Sequence, residues 1–258
     1  MRKLSCIWLC LLLTLNSSFG QPDQVTPLTS DQKDQATNTF DAAQALKWLL
    51  AADEELTPIK YNEYTAEFEE LTKRLNQYKQ DKSSSRLLEK AFYLTHRKKL
   101  KSYTNYVSMR ELFEHGKYDC LTGTALFATL LAKLEVDYTI HEFDFHILLI
   151  AHTTSGDVLL EATDPLNGFV TQEKEIKKRL AVYREEQALS GETPVANQIG
   201  LKEITGLQYF NLAARSFNEG DVLRANELIA KAAVLYPSER IKNMQQIFRN
   251  QVLLASSK

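Results

Sequence analysis

A cysteine, a histidine and an acid follow one another within a short stretch of the chain: Cys120, then His146, then Glu161 or Asp164. These residue types can together run nucleophilic acyl transfer. A cysteine in the first turn of a helix sees the positive end of the helix dipole, which favours thiolate over thiol. A nearby imidazole can take the thiol proton and later deliver it to a leaving group. A carboxylate on the far ring nitrogen fixes the tautomer. The backbone N–H of the cysteine, unused by its helix, can help to stabilise the oxyanion.

That chemistry needs a helix and two strands to converge. Asp119 can cap a helix from Cys120 to about Leu134, whose apolar residues include Leu121, Ala125, Leu126 and Leu130. Strand-like runs follow at Val136 to Phe143, Phe145 to Ala151 and Val158 to Thr163. Thr153-Thr154-Ser155-Gly156 reads as a hairpin turn between the last two. An even loop, Ser155-Gly156 or all four residues, puts His146 on one face with Glu161. An odd loop puts it with Asp164. Glu161 is preferred because Ser-Gly suits a two-residue turn, and Asp164 stays open. Helix followed by strands predicts an α+β fold, with the cysteine helix on an antiparallel sheet. A further helix is expected from Lys174 to Gln187, with Ile176, Leu180 and Tyr183 inward.

The run Tyr118-Asp119-Cys120-Leu121-Thr122-Gly123-Thr124-Ala125-Leu126-Phe127 resembles the cysteine helix of the transglutaminase-like superfamily. Phe145-His146-Ile147-Leu148-Leu149-Ile150 resembles its histidine strand, and Val158-Leu159-Leu160-Glu161-Ala162-Thr163 its acid strand. The resemblance implies a papain-like core and thiol chemistry on amide bonds by transamidation, deamidation or hydrolysis. The family's aromatic residues after the cysteine and after the histidine are Leu121 and Ile147 here. That departure points away from protein crosslinking. The family's acid motif maps onto Glu161, while Asp164-Pro165 resembles its Asp-Pro.

The remaining residues bound the setting. Arg2 and Lys3, the apolar stretch from Cys6 to Leu15 and Ser18-Phe19-Gly20 have the layout of a secretory signal peptide over residues 1–20, cut before Gln21. Cleavage removes Cys6 and Cys10 and leaves Cys120 as a lone thiol, unable to form an internal disulfide. It also takes two of the 31 basic residues, leaving 29 against 33 acidic ones. No basic face for nucleic acid is expected from this balance, and no later segment is apolar enough to span a bilayer. Residues 21–38 read as a flexible leader, followed by amphipathic helices whose faces carry Leu46 and Leu50, Phe68 and Leu75, and Leu88 and Phe92. Ser83-Ser84-Ser85 suggests a break between the last two.

No cofactor is implied. His141 and His152 flank His146 in no established metal pattern, and His96 and His115 suggest nothing. Near the C-terminus, Tyr209, Leu212, Ala213, Gly220-Asp221, Ala225, Ala232 and Pro237 resemble a single tetratricopeptide-like unit. The expected organisation is a helical N-terminal part and transglutaminase-like core over 39–190, a linker at 191–205 and an all-helical tetratricopeptide-like segment over 206–258. The expected protein is exported, periplasmic or secreted, and hydrolyses an amide in a peptide or protein, cell-wall peptide among the candidates. The alternative is a silent scaffold of the same fold that holds a protein or peptide partner through the helical repeat.

Overall fold

The computed structural model describes residues 40–79, 85–189 and 197–256. The expected signal peptide, the leader and most of the Ser83–Ser85 break lie outside these residues. The chain runs α1 (Ala42–Ala51), α2 (Pro58–Asn76), α3 (Ser85–Lys98), β1 (Ser102–Tyr103), α4 (Met109–His115), β2 (Lys117–Tyr118) and α5 (Cys120–Lys133). It continues through β3 (Tyr138–Glu142), β4 (Ile147–Thr153), β5 (Gly156–Leu160), β6 (Phe169–Val170), α6 (Glu173–Leu189), β7 (Asn197–Ile199), α7 (Leu201–Asn218), α8 (Val222–Leu235) and α9 (Glu239–Ser256). This is an α+β arrangement around a five-stranded antiparallel sheet of order β6-β5-β4-β3-β7.

The sheet is covered on both faces, which is why β4 reads as an unbroken apolar run rather than an alternating one. Ile140, Leu149, Ala151, Val158 and Leu160 share a core with α5. Leu148, Ile150 and Leu159 face the other way and pack with Ile176 and Leu180 of α6. Helix α5 is buried from Leu121 to Leu131 on every side, as expected of a helix apolar all round. Its far side meets Leu46, Leu49 and Leu50 of α1, together with Phe92 of α3 and Met109 of α4.

The sequence-based boundaries need three changes. Strands β3 and β5 are shorter than expected and β4 starts later, so His146 and Glu161 each stand just outside a strand end. The hairpin pairs Thr153 with Gly156, making Thr154-Ser155 the two-residue loop, with Gly156 at φ +120°. The expected linker is structured where it is described: Asn197–Ile199 adds β7 to the edge of β3, and Leu201 already begins α7. A three-residue strand containing Asn197 and Gln198 carries almost no periodic signal, so sequence alone reads it as a connection.

The C-terminal helices are not a separate body. Leu201, Ile204 and Leu207 of α7 belong to the main core. The Tyr209 hydroxyl donates to the Trp48 carbonyl (2.9 Å), and the buried Gln208 amide to the Val107 carbonyl (2.8 Å). Residues from Phe40 onward cluster as one unit. Helices α7 and α8 form a tight antiparallel hairpin through buried Ala213, Ala225 and Ala232, with Gly220 in the left-handed region and Asp221 capping α8. No described helix is long and apolar enough to cross a membrane.

Candidate active site

Asp119 sets the start of α5. Its carboxylate accepts from the Thr122 backbone N–H (2.7 Å), while the Asp119 N–H donates to the Thr122 hydroxyl (2.9 Å). This reciprocal cap leaves the N–H groups of Cys120 and Leu121 outside the helix ladder, pointing toward the cysteine sulfur. Gly123 lets α5 approach the end of β5: a Cβ there would lie 2.7 Å from the Ala162 Cβ.

His146 and Glu161 meet at the ends of their strands. His146 Nε2 lies 2.6 Å from Glu161 Oε2. The even hairpin loop supplies the parity that puts both on one side of the sheet. Glu161 is buried, and its other oxygen accepts from the Thr163 hydroxyl (2.7 Å) and backbone N–H (3.3 Å). Burial opposes ionisation of Glu161, but hydrogen bonds from His146 and Thr163 outweigh it and hold the carboxyl below its ordinary range. An ionised carboxylate only accepts, so Nε2 donates the shared proton and Nδ1 is the ring nitrogen left for a second partner. Asp164 is engaged elsewhere: its Oδ1 accepts from the Asn167 N–H (2.9 Å), and its Oδ2 stands 4.0 Å from Arg179. It closes the turn that returns the chain to β6.

Tyr183 of α6 completes the surroundings of the imidazole. Its ring stacks on His146 with centroids 4.4 Å apart and planes 22° apart, and its hydroxyl donates to Glu161 Oε2 (3.3 Å). The helical period puts Tyr183 on the inward face of α6. Nothing in the local sequence marks it as the neighbour of a histidine 37 positions earlier.

Cys120 and His146 line one cleft of about 410 Å³. One side is formed by the start of α5 and the residues between β3 and β4, the other by α7 and α9. No hydrogen bond joins the Cys120 sulfur to the His146 ring in this structure. Burial, then the charges of Asp119 and Glu161, push the Cys120 thiol up to about 12 against the pull of the first-turn amides. The resting group is therefore a protonated thiol.

The other histidines serve different ends. His152 bridges Thr139 Oγ1 (2.7 Å) and Asp157 Oδ1 (2.8 Å) on the α6 side of the sheet, an exposed cross-strand ladder. His96 is buried against Phe92 and Phe127, and neither ring nitrogen has a hydrogen-bond partner among the described residues. Its polar neighbours in sequence, Arg97 and Lys98, conceal that position. Among the described residues no group of three or more His, Cys, Asp or Glu side chains could hold a metal ion. Comparisons with protein-family models, curated proteins and solved structures give no match.

Proposed function

We propose that this chain is a cysteine hydrolase of amide bonds, exported and built on a transglutaminase-like core. Cys120 is its nucleophile, His146 its general base and acid, and Glu161 the carboxylate that orients the imidazole. One observation carries the reading: the imidazole bonded to Glu161 borders the same cleft as a cysteine at a helix start. As the sulfur attacks the amide carbon, its proton passes to His146 Nδ1 and the carbonyl electron pair moves to oxygen. The N–H groups of Cys120 and Leu121 suit that oxyanion. Collapse breaks the C–N bond, and the amine leaves with the proton from His146. Water then attacks the thioester, returns a proton through His146 and frees the acid and the thiol. The resting thiol holds its proton, so His146 has to take it for the sulfur to form the new bond.

A silent scaffold draws on one observation, the raised thiol with no bond to His146. A peptidyl acyloxymethyl ketone, with the adduct located by mass spectrometry, separates the two readings. The hydrolase labels at Cys120, and His146→Ala slows labelling ~10²-fold or more. No adduct at Cys120, or equal rates in the two proteins, overturns the hydrolase in favour of the scaffold.

A further inference from the structure

We infer that the cleft takes an extended peptide and selects an uncharged, apolar or aromatic side chain beside the attacked amide, with Phe210 as the specificity-determining residue. The inference rests on the hydrolase reading above for the position of the amide. Helix α7 presents Leu207, Phe210, Asn211 and Ala214 to the cleft, spaced as one helical face, and Met244 of α9 joins them. Leu121 and Ile147 line it from the α5 and β4 side. Phe210 is only half-buried, so part of its ring is open to a ligand.

The ring is also held in place. The Arg240 guanidinium lies 5.2 Å from the Phe210 centroid, and it is itself fixed by the Glu142 carboxylate and the Asp144 carbonyl. A ring held in this way loses little freedom when a second apolar surface docks on it.

The charged residues lining the cleft are already committed within the fold. Asp119 caps α5, and Glu142 accepts from Tyr236 (2.7 Å) and pairs with Arg240. Asp144 has interactions of its own. An acidic substrate side chain would enter beside the carboxylates of Asp119, Glu142 and Asp144, and a charged one of either sign would lose hydration in the recess, whereas an apolar one gains from burial. At the mouth, Phe145, Tyr103 and Tyr106 are 83%, 56% and 42% exposed. That aromatic surface reaches beyond the recess and suits a length of peptide chain rather than a small amide.

Ketone probes differing only in the side chain beside the reactive carbonyl (Phe, Leu, Ala, Asp, Lys) test this on the full chain. Binding of the matching peptide amides to the Cys120→Ser protein, read by calorimetry, runs in parallel. Phe and Leu should exceed Asp and Lys ~10-fold or more in both measurements. Phe210→Ala should bring the Phe-to-Ala ratio close to one, and Phe210→Leu should keep most of it. Equal rates and affinities across the series, or preference for a charged side chain, overturn the inference whether or not the variants fold. If no ketone labels Cys120 yet the amides bind in the expected order, the hydrolase reading fails and the selective recess stands. If every ketone labels Cys120 without side-chain preference, the hydrolase stands and the selective recess fails.

Discussion

His146 and His96 show how differently one residue type behaves in two settings of the same fold. His146 is bonded to an ionised carboxylate and stacked on Tyr183, which fixes both its tautomer and its plane. The His96 ring packs near Phe92, Tyr118 and Phe127, and its nitrogens have no hydrogen-bond partner among the described residues. Burial pulls it from the usual 6.5 down to about 4, against a weaker opposing influence of Asp164. Folding therefore keeps His96 neutral at pH values where the unfolded chain binds a proton. The resulting stability is fully present above pH 6.5 and is lost as pH falls toward 4, amounting to roughly 3 kcal/mol. Urea denaturation of the full chain across pH 4–7 should show this acid limb. His96→Leu should flatten it by about one proton's worth of slope. An unchanged slope would mean that His96 finds a proton partner in solution.

At the scale of elements, the site depends on how closely α5 can lie against the end of β5. Replacing a helical glycine by alanine normally stabilises by up to ~1 kcal/mol. At Gly123 the added methyl would sit 2.7 Å from the Ala162 Cβ, which is anchored to backbone and cannot swing away. Overpacking of this kind costs ~1–3 kcal/mol, so the clash decides the sign. Gly123→Ala should lower the urea midpoint, and Gly123→Ala with Ala162→Gly should recover most of the loss. A midpoint raised by the single substitution would contradict the close approach. The helix and β-hairpin that meet here were readable from residues alone, because capping, apolar period and loop parity are local signals. The Asp119 cap and the even loop are examples. Strand β7, the stacking of Tyr183 and the burial of His96 were not readable. Each depends on contacts between segments far apart in sequence, and their own residues look polar or ordinary. The distinction between Glu161 and Asp164 lay between these cases: the parity of one loop favoured Glu161, while the turn that occupies Asp164 is visible only in three dimensions.

For the molecule as a whole, the C-terminal helices act as a wall of the cleft as well as a cover for the core. Glu142 at the end of β3 is 2% exposed and is held by two groups from that wall, Arg240 at the start of α9 and the Tyr236 hydroxyl after α8. Removing Arg240 would leave a buried carboxylate with one neutral donor. Breaking a buried pair costs ~3–5 kcal/mol, and the lower end applies because Arg240 keeps 30% of its side chain in water. Arg240→Ala should therefore destabilise the full chain by about 3 kcal/mol in urea. Arg240→Met with Glu142→Gln, which removes both charges and retains bulk, should cost clearly less. The single substitution also takes the guanidinium off Phe210, so the preference for aromatic probes should weaken in molecules that remain folded. If Arg240→Ala matched the double variant in stability, the ion pair would not be what joins the sheet to the helical wall. The wall would then rest on the apolar contacts of α7 and its hydrogen bonds to Trp48 and Val107.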